Sequence, residues 1–244
     1  MLTVVCWKWN KNAWRPIYGA YHVHLLQYLV AKHLKTKHRF VCITDDPSGL
    51  NCETLPLPHV NIGEAVLGKP NCFMRLWLFS REAKELLGDQ VLSIDLDTIV
   101  VGDITDLVQF NGPLKMVKGV SAPYNGSMWL LRPGELEHVW LDFNLKAAAE
   151  ASRVTHYKGS DQAWISYKAP GHPTWDQTDG VYQYTLTRFH KPGDNMRILF
   201  FAGNVKPWTR KFMKRYPGLW NQYVNDATLA GCGTYLFNRL RNPE

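Results

Sequence analysis

The sequence predicts an α/β fold, a single domain in which helices cover both faces of a mostly parallel central sheet. Short apolar runs typical of buried strands alternate along the chain with longer segments whose apolar residues recur at helical spacing. One of these runs, residues 91–101, is hydrophobic enough for a strand buried on both faces. No internal repeat, low-complexity tract or linker divides the 244 residues, so one domain spanning 1–244 is expected.

The first half of the chain alternates predicted strands and helices. In chain order these are a strand at 3–6, a helix at 17–35, a strand at 39–44, a short edge strand within the loop-rich segment 55–68, a helix at 73–87 and the strand at 91–101. The helices are predicted from apolar residues three and four positions apart. Gly88 directly follows the second helix, where glycine commonly ends a helix.

The second half continues the alternation. The predicted elements are a strand at 124–131 entered through a polar turn, a helix at 135–151, a helix that begins at 160–161, an irregular segment at 170–180 and a strand at 197–201. Ser160 is the expected N-cap of the third of these, with Asp161 in its first turn. Ligands of folds of this type bind beyond the carboxyl ends of the strands, so the candidate site is expected there.

Two carboxylates interrupt the apolar run 91–101. Asp95 and Asp97 are two residues apart, so in an extended strand their side chains point to the same side. An unpaired carboxylate in such a strand would lose its charge, so a compensating group is expected. Two oxygens side by side suit a hard cation such as Mn²⁺ or Mg²⁺. The alternative is a strand end whose aspartates cap a turn or a helix.

Positive charge is concentrated in one short segment. The formal net charge of the chain is +7. The segment contains basic residues interleaved with aromatic ones: Lys206, Trp208, Arg210, Lys211, Phe212, Lys214, Arg215 and Tyr216. This mixture favours a polyanionic partner, such as a phosphate-rich ligand or a nucleic acid. The alternative is a solvated amphipathic helix whose aromatic residues pack on the core.

Cysteine usage and hydropathy favour a cytoplasmic protein without integral membrane association. No apolar run is long enough to span a bilayer, and the first residues lack the basic and then apolar pattern of a signal peptide. The cysteines are odd in number and scattered, which predicts free thiols rather than disulfides or a zinc site. They are Cys6, Cys42, Cys52, Cys72 and Cys232.

In this order, the motifs of the chain resemble GT-A fold glycosyltransferases, most closely glycosyltransferase family 8 and related small bacterial and phage enzymes. The resemblance covers most of the chain. It rests on the first strand and helix and on the segments Phe40–Asp46, Asp95-Leu96-Asp97, Tyr124-Asn125-Gly126-Ser127, Ser160-Asp161-Gln162 and Gly203–Trp208. Each segment alone is a weak signal, and their order makes the set specific.

The resemblance implies a nucleotide-sugar donor, expected to be a UDP-hexose, and a bound Mn²⁺ or Mg²⁺. Asp95 and Asp97 match the metal-binding Asp-x-Asp of the family, with Asp95 also at the donor. Lys206 matches a lysine that reaches the diphosphate, and Gly203 allows the backbone to approach it. Residues 1–110 then correspond to the nucleotide-binding half and residues 111–244 to the half that binds the donor sugar and the acceptor.

Further roles follow from the same resemblance. Asn125, Asp161 and Gln162 match the catalytic group at the donor sugar, and Ser127 a further sugar contact, with turn and cap chemistry as the alternative. Val5, Cys6 and Trp7 match the strand end near the nucleotide base, where Trp7 is either a stacking or a core residue. Arg75 matches a basic residue beside the donor, the alternative being a surface arginine. Arg210, Lys211, Lys214 and Arg215 are the expected acceptor contacts.

One departure from the family concerns the third metal ligand. Family 8 enzymes usually have a histidine just before the glycine of the last motif, whereas this chain has Phe200, Phe201 and Ala202. None of these side chains binds a cation. His190, Asn204 and water are the candidates for the missing ligand.

The predicted activity is a metal-dependent, retaining hexosyl transfer, with retention resting on the family resemblance alone. DNA with a hydroxylated base, a substrate of some phage enzymes, is the expected acceptor, and a cell-surface or lipid-linked glycan is the alternative. Two other functions compete with this one. A sugar-nucleotide nucleotidyltransferase would need a glycine-rich loop after the first strand, but residues 8–16 contain no glycine. The lack of the histidine favours instead a catalytically silent nucleotide-sugar or nucleic-acid binding protein.

Overall fold

A seven-stranded sheet lies at the centre of the protein. The computed structural model describes residues 1–9, 18–58, 72–184, 192–201, 203 and 205–233. Their strands are β1 (Leu2–Lys8), β2 (His38–Thr44), β3 (Glu53–Pro56), β4 (Gln90–Ile94), β5 (Thr98–Val100), β6 (Leu114–Lys118), β7 (Tyr124–Leu131), β8 (Thr174–Trp175), β9 (Val181–Gln183) and β10 (Ile198–Phe200).

The order of strands in the central sheet is β3-β2-β1-β4-β7-β6-β8. The first four are parallel, β7 is antiparallel to both of its neighbours, and β8 is parallel to β6. In this sheet, therefore, β7 alone runs against the other six strands, which confirms the predicted mostly parallel sheet. A second sheet has the order β5-β10-β9. Because β7 is reversed, its amino end lies at the same edge as the carboxyl ends of β1 and β4.

Helices cover both faces of the central sheet, as predicted. They are α1 (Ala20–His33), α2 (Arg81–Leu87), α3 (His138–Leu141), α4 (Leu145–Thr155), α5 (Asp161–Lys168), α6 (Arg210–Arg215) and α7 (Pro217–Leu229), with a 3₁₀ helix at Cys72–Phe79. Alternate residues of β1 enter two different cores. Val4 and Cys6 pack with α1, α6 and α7, whereas Val5 and Trp7 pack with the 3₁₀ helix and α2 to α5.

The apolar run 91–101 is not one strand, and this prediction was wrong. β4 ends at Ile94, and β5 begins at Thr98 in the second sheet. Between them, the amide of Thr98 donates to the carbonyl of Asp95 at 3.2 Å and closes a turn. Asp95 and Asp97 therefore belong to this turn, and the strand geometry that predicted their common direction does not apply.

Two predicted helices are interrupted, and a third is shorter than predicted. The segment 73–87 divides at Ser80, whose Oγ accepts from the amide of Ala83 at 3.1 Å and starts α2, which ends at Gly88 as expected. The segment 135–151 divides at Asn144, whose Oδ1 accepts from the amide of Ala147 at 2.8 Å and starts α4. α1 runs from Ala20 to His33, and residue 17 lies outside the described residues.

Two expectations about the chain as a whole can be compared with the structure. All five cysteines are free thiols, as predicted. None of the helices in the described residues has both the length and the hydrophobicity needed to cross a bilayer.

Candidate functional site

A buried arginine joins two of the predicted site carboxylates. Arg75, on the 3₁₀ helix, is 5% exposed and is not a surface residue. Its Nε and Nη2 atoms lie 2.7 and 2.6 Å from Asp161 Oδ2, and its Nη1 atom lies 2.5 Å from Asp95 Oδ1. The guanidinium also lies over the ring of Trp129, 5.2 Å from the centroid. Although burial opposes the charged form, Asp161 and Asp95 hold the pKa of Arg75 above its usual value.

Asp161 directs both carboxylate oxygens into the protein. It is 2% exposed. Oδ2 accepts from Arg75, and Oδ1 accepts from the amide of Gln162 at 2.9 Å and from the hydroxyl of Ser160 at 3.3 Å. Ser160 occupies the predicted N-cap position of α5, but its side chain does not cap the helix. Asp161 is therefore the buried counter-ion of Arg75, and both of its oxygens accept hydrogen bonds within the protein.

Gln162 and Gly126 connect the start of α5 with β7. The amide of Gly126 donates to Gln162 Oε1 at 3.2 Å, and Gln162 Nε2 donates to the carbonyl of Lys158 at 2.9 Å. A Cβ on Gly126 would lie 2.7 Å from Arg75 Nη2, so only glycine allows the arginine to approach this strand. Both polar ends of Gln162 are thus used within the protein.

Asn125 and Ser127 leave polar groups for a ligand. Asn125 Oδ1 accepts from the amide of Ser127 at 2.9 Å, which is the turn chemistry expected as the alternative to a sugar contact. Within the described residues, neither Asn125 Nδ2 nor Ser127 Oγ makes a hydrogen bond. The carbonyl of Ser127 accepts from the amide of Asp95 at 2.9 Å, which places this turn beside the first carboxylate of the Asp-x-Asp.

Asp97 has a tyrosine and a lysine as partners. It is 4% exposed, and its Oδ2 accepts from the hydroxyl of Tyr18 at 3.1 Å and from the ammonium of Lys206. Burial and the charge of Asp97 raise the pKa of Tyr18 well above its usual value, so the hydroxyl keeps its proton and donates. Sequence reasoning missed Tyr18 because a single tyrosine before a helix carries no signal of its own.

The two aspartates fit a divalent cation. No described residue donates a hydrogen bond to Asp95 Oδ2 or Asp97 Oδ1, which leaves one hard oxygen ligand on each carboxylate. Burial raises the pKa of Asp95 to about 7, against the effect of Arg75 and with that of Asp97, so a bound cation would favour its ionised form. These oxygens are of the hard type that Mn²⁺ and Mg²⁺ prefer, and the metal site stays a prediction.

A third protein ligand is not found in the part of the chain that the structure describes, where no group of three or more His, Cys, Asp and Glu side chains could hold a metal. Phe200 and Phe201 are 1% and 2% exposed and belong to the core. Ala202 and the two candidate ligands Asn204 and His190 lie outside the described residues.

The residues predicted to lie near the nucleotide base are mostly buried. Val5 and Cys6 are 0% exposed and belong to the two cores, and Trp7 is 7% exposed with its ring edge-on to Trp9. The structure thus favours the core interpretation of Trp7. At the end of β1, Lys8 is buried and donates to the carbonyl of Asp46 at 2.6 Å.

The basic segment forms α6, an amphipathic helix. Its exposed residues include Arg210, Lys211 and Lys214, whereas Phe212 is fully buried. The guanidinium of Arg215 lies over Tyr216, 5.4 Å from the ring centroid. Phe212 packs inward and the charges face solvent, as expected of a solvated amphipathic helix, and a polyanionic partner stays a prediction. Gly203, before the helix, has a φ of +76°, which favours glycine.

A cavity of about 370 Å³ lies between the two sheets. It is lined by Val117, Lys118, Gly119, Val120, Trp175, Asp176, Gln177, Thr178, Val181, Gln183 and Phe200. In the smaller sheet, Thr98 pairs with Phe200, and Phe200 pairs with Gln183. Neighbouring strands are about 4.8 Å apart. Thr98, the residue directly after Asp97, therefore lies one strand away from Phe200 in the cavity wall.

The central sheet provides a second row that reaches the same cavity. Asn125 pairs with Val117, which pairs with Trp175. Trp175 Nε1 and Gln183 Oε1, buried atoms of lining residues, have no hydrogen-bond partner among the described residues. One is a donor and the other an acceptor. The strands that line the cavity therefore pair with the strands that carry Thr98 and Asn125.

Comparison with solved structures identifies proteins of the same fold. The galactosyltransferase LgtC, in complex with donor and acceptor sugar analogues, is 14% identical with a TM-score of 0.59, over 93% of this chain and 95% of LgtC. The glycosyltransferase GlyE of Streptococcus pneumoniae TIGR4 is 15% identical with a TM-score of 0.58, over 93% of this chain and 63% of GlyE. The bifunctional glycosyltransferase WbbM is 13% identical with a TM-score of 0.61, over 98% of this chain and 51% of WbbM.

These similarities confirm the predicted GT-A fold. At this level of identity they show a shared architecture and leave activity to be argued from the site. No protein-family profile matches the chain, and no curated protein is similar to it in sequence. Membership of family 8 stays a prediction.

Proposed function

We propose that this chain is a metal-dependent glycosyltransferase that moves a hexose from a nucleotide-sugar donor, UDP-linked, to an acceptor with retention at the anomeric carbon. The observation that carries the proposal is the convergence of predicted site residues from four distant segments on one edge of the sheet. Asp95, Asp161 and Arg75 form one ion-paired network there, and Asp97 and Lys206 form a separate ion pair in which Asp97 lies two residues after Asp95. Retention rests on the family resemblance.

Asp95 and Asp97 would hold the cation through the oxygens that the protein leaves unbonded. When bound, Mn²⁺ or Mg²⁺ acts as a Lewis acid that stabilises negative charge on the departing diphosphate. Lys206 contributes a second positive charge for the same group. Arg75 fixes the direction of Asp95, and Asp161 fixes Arg75, so these two residues position the site rather than contact the donor.

The donor sugar would lie against Asn125 Nδ2 and Ser127 Oγ. Sugar hydroxyls both donate and accept, and these two groups are the ones in the predicted set that the described residues leave unbonded. Gln162 holds the turn that carries them through Gly126. Of the residues that the resemblance places at the sugar, Asn125 and Ser127 would contact it. Gln162 would hold their turn in position.

The experiment that tests this function offers UDP-hexoses with and without Mn²⁺ and measures release of UDP. We expect turnover that requires the cation. Without it, the negatively charged diphosphate would depart next to the carboxylates of Asp95 and Asp97. Mass spectrometry with modified-base DNA, lipid-linked sugar and protein acceptors then identifies the product that gains a hexose. Binding of UDP-sugar without turnover on any of these would instead favour the catalytically silent binding protein.

The acceptor is proposed to be a polyanion, DNA with a hydroxylated base, whose reacting hydroxyl enters the cavity beside Asn125. α6 packs on the other side of β10, because Phe200 lines the cavity whereas Phe201 contacts Phe212 of α6 edge-on at 5.1 Å. Contacts from Arg210, Lys211, Lys214 and Arg215 would therefore strengthen binding of the polymer without touching the reacting group. A cell-surface or lipid-linked glycan is the alternative acceptor.

Neutralising α6 tests this assignment. In the Lys211→Gln/Lys214→Gln variant, filter binding should show weaker DNA retention. The slope of log K against log salt should become flatter by about 0.9 for each phosphate that the variant no longer neutralises. Affinity for UDP should not change. The matched control is Lys37→Gln/Lys146→Gln, which removes the same charge from exposed positions outside α6. Equal effects in both variants, or loss of UDP binding, would show that α6 does not contact the acceptor.

A further inference from the structure

The site contains more carboxylates than cations. Asp95, Asp97 and Asp161 have two cationic partners among the described residues, Arg75 and Lys206. Asp97 and Asp161 are 4% and 2% exposed, and a buried carboxylate strongly prefers a cationic partner. Arg75 is committed to Asp95 and Asp161, which leaves Lys206 as the counter-ion of Asp97.

The ammonium of Lys206 lies where it would repel a divalent cation bound to Asp97. Its ammonium contacts Asp97 Oδ2, so a divalent ion on Asp97 Oδ1 would share one carboxylate with a positive charge. The side chain of Lys206 is 16% exposed, whereas that of Asp97 is 5% exposed. Lys206 is therefore the more exposed partner of the pair, and it is the one that could turn toward a ligand.

Tyr18 allows the lysine to leave without exposing an unpaired oxygen. Its hydroxyl donates to the same Asp97 Oδ2 at 3.1 Å. The tyrosine carries no charge, so it does not oppose a divalent ion, and it keeps Oδ2 hydrogen-bonded after the ammonium has gone. The hydroxyl of Tyr18 thus fixes the orientation of the Asp97 carboxylate without adding a charge, and Lys206 neutralises it.

We propose that Lys206 is an exchangeable counter-ion: it neutralises Asp97 in the free protein and moves to the diphosphate when the nucleotide binds, so that it couples nucleotide binding to cation binding. This inference rests on the proposed function, because it takes the nucleotide diphosphate and the divalent cation as the ligands. The exchange replaces one charge-assisted hydrogen bond by another and removes the repulsion between Lys206 and the metal. By linkage, each ligand then raises the affinity for the other by the same factor.

Calorimetric titration of Mn²⁺ and UDP, separately and together, tests the exchange with the Lys206→Met variant. Without nucleotide, this variant should bind Mn²⁺ more tightly than the natural protein, because the competing ammonium is gone. It should bind UDP more weakly in the presence of Mn²⁺, because the diphosphate loses its lysine. Each change should be several-fold, within the roughly 5–150-fold range of coupled sites. Opposite signs for the two ligands are the signature of exchange.

Two further variants complete the experiment. Lys206→Arg keeps the charge and should restore the weak binding of Mn²⁺ alone, whereas Lys37→Met removes an exposed charge elsewhere and should leave both affinities unchanged. Unchanged or weaker Mn²⁺ binding by Lys206→Met, with Mn²⁺ and UDP still binding the natural protein, overturns the exchange and leaves the proposed function standing. A natural protein that binds no Mn²⁺ even with UDP overturns both.

Discussion

Asp97→Asn is expected to lower the rate of hexose transfer by on the order of 10²–10³-fold, with the protein still folded. Asparagine keeps the shape of the side chain and removes its negative charge, so the cation loses a ligand and the departing diphosphate loses its stabilisation. Asparagine is a better probe than alanine, because Asp97 is 4% exposed and contacts Tyr18 and Lys206. Replacement by alanine would leave a cavity at a buried position, so a lower rate could come from lost stability as well as from lost catalysis.

Initial rates of UDP release, together with a thermal unfolding curve, provide the measurement. The matched control is Asp103→Asn, since Asp103 is exposed and its partner is the surface residue Lys35 at 2.5 Å. This control should retain the natural rate, and EDTA should reduce the natural protein to the level of Asp97→Asn. An Asp97→Asn protein as active as the control would contradict the role assigned to the Asp-x-Asp.

Arg75→Met is expected to lower the free energy of unfolding by about 3–5 kcal/mol, the usual cost of removing one partner of a buried ion pair. Methionine fills a similar volume but leaves the carboxylates of Asp161 and Asp95 without their cation. Asp161 is 2% exposed, so water cannot replace the guanidinium there. Urea unfolding of the two proteins measures the difference.

A second substitution separates this effect from a simple packing defect. Arg75→Met/Asp161→Asn should regain part of the lost stability, because the uncompensated buried charge is removed, but it should not regain transfer activity. The control is Arg153→Met, an exposed arginine paired with Glu150 within α4, and its unfolding curve should match that of the natural protein. An Arg75→Met protein as stable as this control would show that the buried network does not hold the site together.

Much of the site is visible in the sequence because it is built from short local motifs. The Asp-x-Asp turn, the segment 124–127 and the start of α5 each contain polar residues where a strand or helix begins or ends. Their positions follow from the strands and helices around them, and those follow from local hydrophobic periodicity. The order of these motifs along the chain then carried the resemblance to a known family.

The hydrogen-bond partners of the individual side chains cannot be predicted from these local motifs. Asp161 and Gln162 were expected at the donor sugar, yet Arg75, Gly126 and Lys158 occupy their polar atoms. The sequence is compatible with Arg75 as a site residue or as a surface residue, and the burial of its side chain excludes the second. A hydrogen bond joins residues that are 86 positions apart in one case and 109 in another, and no local pattern encodes such a pairing.

The sequence by itself determined the alternation of strands and helices and the central sheet with both faces covered. These properties depend on which residues are apolar and how they are spaced, which is local information. The tertiary structure alone decided that the run 91–101 divides between two sheets, that Tyr18 reaches Asp97, and that a cavity lies between the two sheets. These features depend on the packing of distant elements, because burial forces each polar group to find its partner wherever the fold has placed one.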